Sequence, residues 1–246
     1  MPGLTGPIIA TTGDIFSSSA TQSHQFGTLA QTRDGRRFRY CKAGASALVV
    51  GNVIQGPAAI ANHLDLTPTV TTYGAIGDTK MALTTAATAG AANLYAEGWA
   101  CVSTTPGIGY MYPISTHPAI AGSDLVTFTL QSDSPIQVAL TGSSRVGLHH
   151  NPYKNVIQAP VTTLTGAVVG VAVYPIPATE YGWVQVSGPS GVLCAGAIGV
   201  GLAAVVPSTA AGAVIVDGAA AETPVIGTML SPGVNAKVIP IMLGIN

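Results

Sequence analysis

The 246-residue sequence is short of charge: only 8% of its residues are Asp, Glu, Lys or Arg, against about 25% in ordinary soluble domains. Disordered chains pair low hydrophobicity with high charge, and this chain has the reverse, with 48% hydrophobic residues. Coiled coils and helical bundles need many charged helix formers, which are missing. Binding to nucleic-acid phosphates needs an excess of Lys and Arg, whereas the formal net charge is -1; no nucleic-acid partner is expected. A free monomer with so few charges has poor colloidal solubility. Much of the surface is therefore expected to be covered by other protein.

Cysteine is also scarce. Cys41, Cys101 and Cys194 are widely spaced and form no C-x-x-C, which argues against a zinc ribbon or a thioredoxin-like site. They read as three reduced, mostly buried thiols made in a cytosol. The start of the chain, Met1-Pro2-Gly3-Leu4-Thr5, lacks the basic and apolar regions of a signal peptide. The uncharged stretch 191–216 is long enough to suggest a membrane span. It is interrupted by Pro207-Ser208-Thr209, is rich in Gly and Ala, and lacks flanking Lys or Arg. A β-structured segment and no membrane association are expected.

Catalytic motifs are missing as well. Ser190 lies in Gly188-Pro189-Ser190-Gly191, which fails the nucleophile-elbow pattern. No P-loop occurs. Gly199-Val200-Gly201-Leu202-Ala203-Ala204 matches G-x-G-x-x-A, with Glu222 near the distance of the acidic ribose ligand. That fingerprint needs a following helix, and Pro207 would stop one almost at once. His149-His150 is the only histidine pair, and neighbours on a strand point to opposite faces. His24, His63 and His117 are isolated and read as structural. The ten carboxylates are scattered, several in turn contexts such as Asp34-Gly35 and Asp217-Gly218. No catalytic residue, cofactor or metal is expected, although a glycosidase pair is a matter of space rather than of sequence.

Glycine, proline and alternating strands are what the chain does have. Residues 1–27, rich in Ser, Thr, Gly and Pro and containing Ser17-Ser18-Ser19, read as an extended arm that orders only against a partner. A hairpin follows around Asp34-Gly35, a pair that supports a tight primed turn. After it, Arg37 and Arg39 alternate with Phe38 and Tyr40, so the rings and the guanidiniums take opposite faces. The hairpin holds five of the nine basic residues, Arg33, Arg36, Arg37, Arg39 and Lys42. These are the candidate contact residues for an acidic partner surface; a solvated strand face is the plainer alternative.

Further strands are expected at 47–54 around Gly51-Asn52, and at 70–73, 80–84, 95–103, 109–115, 125–131, 136–140 and 146–148. Residues 86–95 have helix propensity, but Gly90 limits them to a loop or a single turn. After a linker bracketed by Pro152 and Pro160, strands are expected at 167–174, 182–187, 192–198, 202–206, 213–216 and 237–243. Short strands punctuated by Gly and Pro indicate antiparallel β-sandwich or barrel modules. The expected organisation is an arm (1–27), a β-rich domain (28–160) and a Gly/Ala-rich β module (161–246).

Three stretches carry a family resemblance. They are Asp34-Gly35-Arg36-Arg37-Phe38-Arg39-Tyr40 with Ala43-Gly44; Tyr95-Ala96-Glu97-Gly98-Trp99 with Gly109-Tyr110-Met111-Tyr112-Pro113-Ile114 and His117-Pro118; and Tyr181-Gly182-Trp183-Val184-Gln185-Val186 with Gly188. Their order resembles a family of tailed-bacteriophage virion proteins encoded near the major capsid protein. The likeness runs from about Gly27 onward and leaves out the arm. It implies a head decoration, or cement, protein on the outside of the capsid, made in the host cytoplasm. Such a protein clamps junctions between capsomers against internal DNA pressure. The implied partners are the major capsid protein and further copies of this chain, as a dimer or trimer. Two other classes compete: a β-rich phage fibre or adhesin head binding host glycans, and a hydrolase. An adhesin would expose aromatic platforms, whereas Trp99 and Trp183 sit in apolar strand contexts that suit core packing.

Overall fold

The computed structural model describes residues 7–206, 208–218 and 223–245. The chain is nearly all β, with 39% strand and 3% helix, in two sheets of mostly antiparallel strands. Mostly antiparallel sheets of this kind are consistent with a β-sandwich, and neither sheet closes into a barrel among the described residues.

The first strands are β1 (Ile8–Ile9), β2 (Leu29–Gln31), β3 (Arg37–Lys42), β4 (Val53–Gln55), β5 (Thr67–Pro68) and β6 (Lys80–Thr84). Then come β7 (Trp99–Val102), β8 (Met111–Thr116), β9 (Leu125–Leu130), β10 (Val146–His149), β11 (Ile157–Gln158) and β12 (Val168–Ala172). The last are β13 (Tyr181–Cys194), β14 (Ala203–Val205), β15 (Ile215–Val216), β16 (Val225–Met229) and β17 (Lys237–Gly244). A single α-helical turn, α1, spans Thr12–Ile15.

The chain divides into two compact units at other boundaries than the sequence suggests. Unit 1 takes the described residues of Met1–Ala58 and Pro152–Asn246, and unit 2 is Ala59–Asn151, an insertion. The linker expected from Pro152 onward coincides with the second joint, whereas the sequence carries no mark of the first, at Ala58. In unit 2, β5 to β10 form a six-stranded sheet in the order β10-β7-β8-β9-β6-β5. Its core gathers Met81, Leu83, Tyr95, Ile114, Phe128 and Leu130. Alternation on β9 puts Val126, Phe128 and Leu130 inside and leaves Thr127 and Thr129 half-buried. Residues 86–95 form a loop with turns.

One glycine in unit 2 has no room for a side chain. A Cβ on Gly98 would lie 2.2 Å from the backbone oxygen of His149. Gly98→Ala is expected to cost unit 2 about 1–3 kcal/mol, read as a lowered midpoint in denaturant; an unchanged midpoint would show that the two backbones separate freely.

Unit 1 is organised on β13, which runs for 14 residues. The sequence suggests two strands there, broken at Gly188-Pro189. The structure instead has one strand with a register shift between Gln185 and Ser187. Its first half pairs with β3 and β12, and its second half with β17. Pro189 is tolerated because its carbonyl faces the Gln185 side chain, whose Nε2 donates to it at 2.8 Å. The proline nitrogen points to that same edge, so no ladder bond is lost. The stretch 191–216 forms the end of β13, β14 and β15 (Pro207 lies outside the described residues). No described helix is long and apolar enough to cross a membrane.

The outward side of this half of unit 1 is apolar. Along β17, Val238, Pro240 and Met242 are exposed and alternate with inward Ile239, Ile241 and Leu243. Pro189 and Gly191 on β13 and Thr228 on β16 stand beside them. None of these outward residues is charged.

The cysteines are free; Cys41 and Cys194 are buried and Cys101 is half-buried. Burial pushes the Cys41 thiol up from 9.0 to about 12. The folded state therefore keeps a proton that the unfolded chain releases above pH 9. The stability from this group is full below pH 9 and is lost as pH rises toward 12. Cys41→Ala is expected to flatten alkaline unfolding over that window in a pH-resolved denaturant titration.

Candidate functional site

The N-terminal segment and the basic hairpin together line two clefts on unit 1. Residues 7–27 are extended for most of their length, but they order against the chain's own sheet rather than waiting for a partner. β1 pairs in parallel with β2, and Ser19 bridges Tyr181. A capping box holds α1: the Thr11 side chain accepts from Asp14 N–H, and the Asp14 carboxylate accepts from Thr11 N–H at 2.8 Å. Ile15 then plugs a cluster with Ala30, Phe38, Tyr40 and Trp183. The physical reason is that β3 and β13 present a row of rings that would otherwise face water.

The hairpin turn also differs from the expected one. Only Gly35 in the loop takes positive φ, at 87°. Gly35 N–H donates to Thr32 O, and Thr32 N–H donates to Arg36 O, both at 3.0 Å. This is a three-residue loop with glycine at the left-handed position, not a two-residue primed turn. Asp34 accepts from Thr32 and Arg36, and these bonds, Thr32's first, hold its carboxyl below the usual range.

The five basic residues do not form one patch. Arg33 and Arg37 are exposed. Arg36 Nε donates to Asp34 Oδ2 at 2.8 Å, and its guanidinium carbon lies 5.6 Å from the centre of the Phe38 ring. Arg39 Nη1 donates to Gly27 O at 2.8 Å. Lys42 Nζ sits 5.3 Å from the centre of the Tyr181 ring. Strand alternation causes the split, because Arg37 and Arg39 share one face of β3 while Lys42 shares the other with Phe38 and Tyr40. The rings and the two β3 arginines are on opposite faces, as the alternation predicts.

Two clefts flank the N-terminal segment. One, of about 580 Å³, lies between Ile9–Thr12 and the hairpin turn, and is lined by Thr11, Thr12, Thr32, Arg33, Asp34 and Arg36. Two guanidiniums and three hydroxyls, with one carboxylate between them, suit an acidic, hydrogen-bonding segment. The other, of about 340 Å³, lies under the same segment. Its lining mixes Ile8, Ala10, Tyr40, Tyr181, Gly182 and Trp183 with Asp14, Ser17, Ser18, Ser19, Ser23 and His24. The His24 ring stands edge-on to Tyr40, with centres 5.1 Å apart.

The remaining sequence candidates are dispersed. Among the described residues, no group of three His, Cys, Asp or Glu is placed to hold a metal. The glycines at 199–201 lead into strand β14, not a helix, so the dinucleotide fingerprint fails; Glu222 lies outside the described residues. His149 is exposed at the end of β10, whereas His150 is half-buried with its ring 4.7 Å from the centre of Tyr95. His63 and His117 are buried around Tyr95. Tyr95 N–H donates to His117 Nε2 at 2.9 Å, and His63 lies against the Tyr95 hydroxyl. Ser190 is buried in β13. Trp183 is core, as its context suggests, and Trp99 is half-buried on β7.

Comparison with protein-family models, curated proteins and solved structures finds no match to this chain. The second cleft is what sequence reasoning misses. Asp14 and the serine run are in plain view, but nothing local says that they close over Tyr40 and Trp183.

Proposed function

We propose that the chain is a structural virion protein that decorates a phage capsid and stabilises capsomer junctions against internal DNA pressure. In this reading it sits on the outer surface, bound to the major capsid protein and to further copies of itself. The observation that carries the reading is the uncharged outward side of β13, β17 and β16, in a chain with only 8% charged residues. A broad apolar face of this kind suits permanent burial against protein. The cleft beside Arg33 and Arg36, next to exposed Arg37, suits an acidic ridge on the shell.

Purified heads test it. The protein is expected in stoichiometric copies on the capsid, and heads lacking it are expected to break at lower internal pressure or temperature. Finding it on the tail alone would overturn the reading. Reversing charge at the two exposed positions, Arg33→Glu with Arg37→Glu, is expected to lower capsid occupancy, most clearly at low salt. Equal occupancy at every salt concentration would remove the hairpin from the contact.

A further inference from the structure

We propose that the loop 91–96 of unit 2 is an acid-sensitive latch, fastened by a neutral His117 and released when that ring takes a proton. The proposal does not rest on the virion reading. Two tethers flank the loop: Gly90 N–H donates to Ile120 O, and Glu97 N–H donates to Ile114 O, both at 2.9 Å. Between them stands Tyr95, fully buried and gripped by two imidazoles. Tyr95 N–H donates to His117 Nε2 at 2.9 Å, and the Tyr95 hydroxyl lies 2.5 Å from His63 Nδ1.

The partners fix where each proton sits. A carbonyl oxygen only accepts, so His117 Nδ1, 2.7 Å from Pro118 O, carries a hydrogen. His63 Nε2, 2.9 Å from Thr88 O, carries one for the same reason. A backbone N–H only donates, so His117 Nε2 presents its lone pair to Tyr95. His117 is therefore neutral, with both nitrogens committed.

The two rings answer acid differently. A proton at His63 Nδ1 is met by turning the Tyr95 hydroxyl, whose oxygen also accepts. A proton at His117 Nε2 sets N–H against N–H, and a backbone amide has no acceptor to offer in its place. The closed loop excludes that proton and the open loop admits it. No buried counter-ion stands by to hold an imidazolium. Tyr95 faces His117 from the loop, and Phe128 faces it from β9 with ring centres 4.9 Å apart. His63 and His150 pack on Tyr95, with centres 5.6 Å and 4.7 Å from its ring. Glu97 is half-buried, and among the described residues no Asp, Glu, Lys or Arg is buried. An open imidazole titrates near pH 6.5, roughly. Closure is thus at full strength above that pH and weakens below it, so that opening rises about thirtyfold by about pH 5.

Amide exchange on the full chain reads the latch. The protection factor of the Tyr95 amide is expected to fall about thirtyfold between about pH 7.5 and pH 5, while amides of β6 and β9 keep theirs. Nitrogen NMR of the histidine rings is expected to show His117 neutral, with its hydrogen on Nδ1, wherever that amide is protected. His117→Gln puts an amide group in place of the ring and does not titrate; its Tyr95 protection factor is expected to be the same at both pH values. The wild-type chain carries the test alone if that variant does not fold. Unchanged protection in the wild type would overturn the proposal. So would a protonated His117 beside a still-protected Tyr95 amide, or the same pH dependence in His117→Gln. Protection lost across β6 and β9 at once would also overturn it, because acid would then be unfolding unit 2 as a whole.

Discussion

A chain in which a short Gly-Ser linker joins Ala58 directly to Pro152 is expected to fold into unit 1 without unit 2. The two ends of the insertion leave from neighbouring places. Gln55 on β4 pairs with Ile157 on β11, and a Cβ on Gly56 would lie 2.8 Å from the Pro152 oxygen. A short linker spans that gap and closes an ordinary antiparallel hairpin. It also shortens a long loop, and each halving of loop length recovers about 0.6 kcal/mol of closure entropy. Among the described residues, no buried apolar cluster is cut by the excision. The core around Tyr95 and Phe128 belongs to unit 2. The clusters around Ile241, Val184 and Trp183 belong to unit 1. The measurement is circular dichroism with thermal melting: a β spectrum and one cooperative transition are expected. A broad, non-cooperative melt that binds a hydrophobic dye would show that unit 1 depends on the insertion.

Ile15→Ala is expected to cost unit 1 about 2–5 kcal/mol, the range for truncating a buried isoleucine, and to release residues 7–24. Ile15 is 1% exposed and is the one buried residue of α1. A helix of four residues has no stability of its own in water. Its order comes from the Thr11–Asp14 capping box and from the side chain that plugs the Phe38–Tyr40–Trp183 cluster. Amide exchange should show protection lost across the segment before the rest of unit 1 opens. Full protection in the variant would mean that β1 and the Ser19–Tyr181 bridge hold the segment alone. For the same reason, deleting residues 1–27 is not a neutral removal of a loose arm: it uncovers the rings of β3 and β13.

Much of the fold is local enough to be read from the chain. Strand β6 at Lys80–Thr84 and strand β9 at Leu125–Leu130 lie where the alternation puts them, because period-two patterning records which face is buried. The opposite placement of Phe38 and Arg39 follows from the same rule. The glycine turn at Gly35 is visible, but its type is not, since Asp-Gly fits both a primed turn and a three-residue loop. β16 escapes notice because Gly227 and Thr228 interrupt its apolar run, and it becomes a strand by pairing with β14 and β17.

The candidate site divides the same way. The sequence concentrates positive charge in one hairpin, but it does not show that Asp34, Gly27 and Tyr181 each occupy one of those cations. That depends on partners up to 139 positions away, such as Lys42 with Tyr181. Alternating strands punctuated by Gly and Pro determined by themselves that this is a β-rich chain, and the scarcity of charge that its surface is poor in charged groups, because periodicity and composition are properties of the sequence alone. Tertiary structure alone decided that unit 2 is an insertion, that the N-terminal segment folds back, and that serines and aromatic rings line one cleft. Those are matters of which distant segments meet, and side chains of unremarkable local pattern carry no record of the partner that buries them.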